Sequence, residues 1–210
     1  MKPALRAGIA DDHPVVRTAV RMLLAQAGYR VSEVSNGNAV MSMLREHQPG
    51  TLVLDLNLPG LDGLGVLEHI RSSGIRCQVV VFTSLNGMFY QDRCMRAGAA
   101  AFVSKTNDLE HLRKAIDAVK AGYSYFEKLE TSSVSLSLVQ RSDAQLIEKL
   151  SNRELTICCY LANGMSNKAI AEIMHLSHKT VSTYKTRLTD KLQIGSPVHL
   201  RDFAKRNNLI

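Results

Sequence analysis

The 210 residues predict an α/β domain with a doubly wound parallel sheet, followed by a small all-α domain. Three observations carry this. Short apolar runs alternate with amphipathic stretches five times over in the first half, which is the signature of a parallel sheet with helices on both faces. Two of those runs, TLVLD at 51–55 and QVVVFTS at 78–84, are apolar at consecutive positions, as a strand buried on both sides requires. Beyond residue 146 the strand-like runs stop and every periodic stretch is helical.

The elements follow in order. Ala4–Ala10 reads as a strand ending at Asp11 and Asp12. Pro14–Ala27 reads as a helix closed by Gly28, with proline at its first position, where the missing N–H costs nothing. Arg30–Val34 is a second strand and Ala39–His47 a second helix, stopped by Pro49 and Gly50. After the strand Thr51–Asp55 come a helix over Leu64–Ser72, the strand Gln78–Ser84, a helix around Phe89–Ala97 and a strand at Ala100–Ser104. Asp108–Ala121 closes the series, with Asp108 as N-cap and Gly122 as a stop. Residues 125–146 lose periodicity and gain serine, so they read as a mostly flexible linker with room for a short helix at its end. Helices are expected at Asn152–Asn163, Asn167–Met174, Ser177–Leu192 and Pro197–Arg206. The division is thus 1–124, 125–146 and 147–210.

Charge is uneven between the halves. The chain carries a formal net charge of +7. Residues 1–125 hold 14 Lys and Arg against 11 Asp and Glu, whereas 147–210 hold 10 against 5, so the shorter segment is the more basic. That points to a polyanion at the C-terminal end. The four cysteines (Cys77, Cys94, Cys158, Cys159) form no CxxC pair and have no histidine at zinc spacing, so they read as small hydrophobes. Asp11, Asp12 and His13 interrupt any leader-like start, and no apolar run nears the ~20 residues of a membrane span. A reduced, cytoplasmic location is expected.

Ligands of open parallel sheets bind outside the carboxyl ends of the strands. The residues there are Asp11 and Asp12, Asp55, Thr83 and Ser84, and Lys105: three acids, hydroxyls and an ammonium on one edge. A carboxylate that accepts a phosphoryl group needs its charge offset, and Mg²⁺ with hard oxygen ligands does this. Asp12 and Asp55 are candidate ligands and Asp11 a holder of a metal-bound water. Lys105 and Thr83 are placed to pair with, and hydrogen-bond, the phosphoryl group. Each of these residues has an ordinary alternative alone, as helix cap, turn residue, β-former or surface lysine.

The segments IADDHPVVR, VLDLNLPGLDGLGVL, VFTS and AFVSK resemble bacterial receiver domains, which have a flavodoxin-like fold, and DDHP resembles their NarL/FixJ subgroup. The resemblance covers about residues 5–122. It implies that Asp55 is the phosphoacceptor, that Asp11 and Asp12 form the acidic pocket, and that Asn57 offers its backbone carbonyl to Mg²⁺. Pro59 and Gly63 fit the loop that follows the phosphoacceptor strand. Phe102 stands where the family keeps a rotating aromatic switch, and an ordinary core aromatic fits that position equally. Many receivers have proline after the lysine. Here Thr106 follows, and a cis bond without proline costs ~3 kcal/mol.

The run LSNRELTICCYLANGMSNKAIAEIMHLSHKTVSTYKTRLTDKL resembles the LuxR-type helix-turn-helix, over about 148–210. On Ser177–Leu192, Val181, Leu188 and Leu192 make an apolar stripe, with Tyr184 beside it. The opposite face carries Lys179, Ser182, Thr183, Thr186 and Asp190. Lys179, Ser182, Thr183 and Thr186 are expected at base edges, with Thr180 in the same interface, and Lys168, Lys185 and Arg187 at phosphates. Tyr184 fits either a phosphate contact or the core. A lysine that the family often places at Ser182 is absent.

The resemblance therefore implies a two-component response regulator. A sensor histidine kinase phosphorylates Asp55, which controls dimerisation and binding of double-stranded DNA by a homodimer. RNA polymerase is a further partner it allows. Two rivals differ in class. A phosphatase of the haloacid-dehalogenase type needs a DxD pattern after the first strand, and this sequence has adjacent acids there. An unphosphorylated receiver acting only as an interaction module would not need the full acid, threonine and lysine set.

Overall fold

The computed structural model describes residues 5–126, 138–207 and 209–210. The chain divides into two compact units, Met1–Leu129 and Glu130–Ile210.

The first unit is a five-stranded parallel sheet: β1 (Leu5–Ala10), β2 (Tyr29–Val34), β3 (Thr51–Leu54), β4 (Gln78–Thr83) and β5 (Ala101–Ser104), in the order β2-β1-β3-β4-β5. Its helices are α1 (Pro14–Gln26), α2 (Val40–His47), α3 (Gly63–Ser73), α4 (Gly87–Ala97) and α5 (Leu109–Lys120). A 3₁₀ turn, Gly37–Ala39, precedes α2 where the sequence predicts the helix itself to begin. Asn36 causes the tighter start: its side chain accepts from Ala39 N and caps the turn.

One face of the sheet puts Ile9, Val53, Val80, Phe82 and Val103 against Val20 and Leu24 of α1 and Leu112, Ile116 and Val119 of α5. The alternate residues Leu52, Leu54, Val79, Val81 and Phe102 are equally buried. Both faces are thus covered, which is why the strands read as unbroken apolar runs. The order reverses between β1 and β3, each with its chain direction carried outward from that point, so the ends of these two strands lie side by side. The edge of β5 is also covered: Phe102 N donates to Tyr125 O and Tyr125 N to Ala100 O.

The second unit contains α6 (Leu138–Glu148), α7 (Asn152–Ala162), α8 (Asn167–Ile173), α9 (His178–Leu192) and α10 (Pro197–Arg206). Serines start four of these helices, with Ser151, Ser166, Ser177 and Ser196 each accepting from a backbone N–H of the first turn. Ser151 and Glu154 complete a capping box, and Glu154 also receives Lys191 Nζ of α9 at 2.6 Å. Val181, Leu188 and Leu192 are buried, as the stripe on this helix predicts.

The expected linker differs in its second part. Residues 138–146 belong to an eleven-residue helix, longer than the short terminal helix the sequence leaves room for. The flexible stretch expected before it falls, over 127–137, outside the described residues. The helix is held by Asp143, whose buried carboxylate accepts from Arg206 Nε at 2.5 Å, Arg206 Nη2 at 3.1 Å and Asn207 Nδ2 at 2.8 Å. A lone acid in a serine-rich run carries no such signal, since its partners lie more than 60 residues on. Among the described residues no helix is long and apolar enough to cross a membrane.

The Arg206 hydrogen bonds hold the Asp143 carboxyl below the usual carboxylate range, against the opposing effect of burial. A depressed pKa means that the stabilisation is present above the unfolded value of 3.8 and is lost as pH falls through the lower folded one. Arg206 is half exposed, which screens the pair, so Asp143→Ala is expected to cost about 1–2 kcal/mol at neutral pH. Denaturant unfolding of wild type and variant at pH 7 and at pH 3 checks this, the gap narrowing at the lower pH.

Candidate functional site

At the carboxyl edge of the sheet the side chains converge as strand order requires. Asp11 and Asp12 follow β1, Asp55 follows β3, and Asp55 N donates to Ala10 O at 2.8 Å, which locks the two strand ends together. Thr83 ends β4, and Lys105, just past β5, is fastened beside it by its N–H to Thr83 O at 2.8 Å. Lys105 Nζ then reaches back over the sheet and donates to Asp55 Oδ2 at 2.5 Å and to Asp11 Oδ2 at 2.7 Å.

Asp11, Asp55 and Thr83 are buried, at 3%, 2% and 0% exposed. Burial is the largest influence on Asp11 and raises its pKa, the neighbouring Asp55 charge acting the same way and Lys105 opposing it. For Lys105 burial alone would favour the neutral amine, but Asp55 and Asp11 together outweigh it and its pKa is raised. The lysine is therefore a fixed cation. One ammonium against two buried carboxylates, with Asp12 beside them, leaves an excess of negative charge.

That excess is compatible with binding a divalent cation. One ligand atom each from Asp11, Asp12, His13 and Asp55 lies within 4.8 Å of all the others. Carboxylate oxygens are the ligands that hard divalent cations take. Asn57 sits at the rim, its N–H donating to Asp55 Oδ1 at 3.1 Å. His13 is the member that sequence reasoning used only as part of a motif: its Nδ1 lies 2.7 Å from Asp12 Oδ1, and its N–H donates to Asp11 Oδ1 at 2.9 Å. Its position directly after two acids was the available signal.

Close packing surrounds the pocket. Gly63 starts α3 against the end of β3, where a Cβ would stand 2.3 Å from Asp55 O. Phe102 is buried on β5 and lies against Gly87 at the start of α4, a contact that suits either role considered for it. Among the described residues no peptide bond is cis, so the bond between Lys105 and Thr106 is trans. The thiols do not join any site: burial raises Cys77, Cys94 and Cys158 to about 12 and Cys159 to about 11.

The second candidate surface is α9. At 100° per residue, Lys179, Thr183, Thr186 and Asp190 share one ridge, opposite the buried stripe, and all four are exposed. Arg187 is exposed on one flank, and Lys168 is exposed on α8. Thr183 and Thr186 donate their hydroxyls to the carbonyls of Lys179 and Ser182, a turn back along the helix. Thr180, Tyr184 and Lys185 are only half exposed, and the Thr180 hydroxyl lies 2.8 Å from that of the cap Ser177. Ser182 is also half buried, its hydroxyl accepting from Asn167 Nδ2 of α8 at 3.2 Å. The periodicity placed Ser182 on the polar face, but its neighbour across the turn engages it.

Residues 8–117 match the response regulator receiver domain family, and residues 148–204 the luxR family of bacterial regulatory proteins. The chain is a response regulator of the NarL/FixJ family. It is 48% identical over 202 residues to the virulence-factor positive transcription regulator BvgA of Bordetella pertussis, covering 96% of this chain and 97% of that one. It is 36% identical over 207 residues to the DNA-binding transcriptional activator EvgA of Escherichia coli, with 98% and 100% covered. A solved structure of the RcsB response regulator of Salmonella typhimurium is similar with a TM-score of 0.57 and 25% identity, over 97% of this chain and 99% of that one. This regulator therefore combines a receiver with a LuxR-type DNA-binding domain, in a family of transcription regulators.

Lys105→Met would leave Asp11 and Asp55 buried without their cation. The expected cost is on the order of 3 kcal/mol, the penalty for breaking a buried pair from one side. Millimolar Mg²⁺ is expected to restore more stability to this variant than to wild type. Thermal unfolding with and without Mg²⁺ measures both effects.

Proposed function

We propose that Asp55 accepts a phosphoryl group from the phosphohistidine of a partner sensor kinase, and that this controls dimerisation and sequence-specific DNA binding. The observation that carries the reading is the placement of Lys105 between Asp55 and Asp11, with Thr83 fixed beside it. In this reading an Asp55 carboxylate oxygen attacks phosphorus, the P–N bond breaks, and the donor imidazole leaves with the bonding pair. Lys105 gives up its bond to Asp55 and pairs with the new phosphoryl oxygens, while the Thr83 hydroxyl donates to one of them.

Mg²⁺ is the proposed cofactor, held by Asp12, Asp55 and the Asn57 carbonyl, with Asp11 holding a metal-bound water. When bound it supplies positive charge to the transferring oxygens. The excess of carboxylates over ammonium at this edge supports the assignment. Phe102 is the proposed switch residue. The receiver catalyses only its own phosphorylation and dephosphorylation. The domains are 1–124 and 147–210, joined by 125–146, with the helical part of that segment belonging to the DNA-binding unit.

On DNA, α9 is proposed to enter the major groove, with Lys179, Thr183 and Thr186 toward base edges, Ser182 at the rim beside Asn167, and Thr180 and Tyr184 at its flanks. Lys168, Lys185 and Arg187 are assigned to phosphates. Likeness to the family supports a homodimer, which would sit on a two-fold site. RNA polymerase is a further partner of such a regulator, and a partner of this kind implies a cytoplasmic location.

Incubation with Mg²⁺ and a small phosphodonor, read by intact mass, tests the first part. Wild type is expected to gain one phosphoryl group and Asp55→Asn none. No gain in a folded wild type would leave DNA binding as the regulator's function without phosphoryl control. The DNA face is tested by affinity against salt. Lys168→Ala is expected to weaken all sequences alike and to reduce the salt slope by about 1, whereas Lys179→Ala costs roughly 1–3 kcal/mol on the operator and relaxes specificity.

A further inference from the structure

The loop after the phosphoacceptor, Asn57–Asp62, carries the carbonyl assigned to the metal, and part of what fixes it comes from elsewhere in the chain. Its last residue caps α3, with Asp62 Oδ1 accepting from Gly65 N at 2.8 Å. Its middle is gripped by the 3₁₀ turn Gly37–Ala39, more than 20 residues earlier. Gly37 N donates to Pro59 O at 3.0 Å, and Asn38 Oδ1 accepts from Leu61 N at 3.1 Å. The two backbones are in direct contact: a Cβ on Gly37 would stand 1.7 Å from Leu61 O, far inside the limit for a non-bonded carbon. Gly60, at φ +78°, turns its bare Cα toward the Asn38 amide, where a Cβ would stand 2.6 Å from Nδ2.

The turn is itself made rigid by the Asn36 cap on Ala39 N. Two hydrogen bonds and two glycine-dependent close approaches therefore set where residues 59–61 lie, and hence the path of the chain from Asn57. A carbonyl ligand contributes to metal affinity only as far as its position is held before the metal arrives. The two hydrogen bonds from the turn end on Pro59 and Leu61, not on the carboxylates. Their effect must pass through the loop.

We infer that Gly37 and Asn38 are positioning residues of the metal site, acting by fixing the Asn57–Leu61 loop from the β2–α2 connection. This rests on the reading of Asp12, Asp55 and the Asn57 carbonyl as metal ligands. Gly37→Ala forces Leu61, and the loop with it, away from the turn, whereas Asn38→Ala only removes an acceptor, so the first should have the larger effect. Asn38→Asp keeps an oxygen where Leu61 N donates and should behave as the native residue.

The test is Mn²⁺ binding to the full chain, followed by the loss of the free-ion electron paramagnetic resonance signal, with Mg²⁺ displacing it, beside thermal unfolding without metal. Asn38→Ala is expected to weaken both ions at least threefold and Gly37→Ala at least tenfold, with Asn38→Asp within twofold of wild type. Val119→Ala, in the core of the α5 face, serves as a control that lowers stability far from the loop and should leave affinity unchanged. The inference is overturned if folded Asn38→Ala and Gly37→Ala bind like wild type, or if Val119→Ala weakens binding as much as they do. If one loop variant does not fold, the other decides. A wild type that binds no Mn²⁺, or binds it equally as Asp55→Asn, removes the metal reading itself and this inference with it. Wild-type binding that Asp55→Asn abolishes and the loop variants leave intact removes this inference alone.

Discussion

Two carboxylates buried side by side repel one another in surroundings that screen charge poorly, and the receiver is built around holding them there. Asp11 and Asp55 are adjacent because strand order reverses between β1 and β3 and the two strands end at the same level. Lys105 is the necessary complement. It comes from the far edge of the sheet, anchored by its backbone to Thr83, so that the ammonium spans the strand ends to bond both acids. Such a cluster is poised: its ammonium is bound by attraction to charges that a phosphoryl group or a cation would redistribute.

The surrounding structure is rigid where this cluster needs it. Gly63 lets α3 start in contact with the Asp55 carbonyl, and the turn at Gly37–Ala39 clamps the loop between them. On the other side, β5 carries Phe102, whose ring lies against Gly87 at the start of α4 and whose backbone pairs with Tyr125.

The DNA-binding unit solves a different problem with the same economy. α9 must present a polar ridge while its other face is committed to the core. Serine caps at the starts of α7, α8, α9 and α10 satisfy backbone donors, and Glu154 with Lys191 ties the first of these helices to the end of α9. The threonines of the ridge turn their hydroxyls back to the helix, while Lys179 on the ridge and Arg187 on its flank are long, exposed donors.

The sequence by itself determined the alternation of five strands with five helices, the acids and lysine at strand ends, and the buried stripe of α9. Periodicity and burial act locally, so each is written in consecutive residues. Tertiary structure decided what depends on partners distant in the chain. Asn38 and Gly37 show no chemistry until Leu61 lies against them, Asp143 reads as a linker residue until Arg206 reaches it, and Ser182 counts as exposed until Asn167 bonds it. The physical reason is common to all three. A hydrogen bond or steric limit between residues far apart in the chain has no period and no composition, and it exists only once the fold has brought its two ends together.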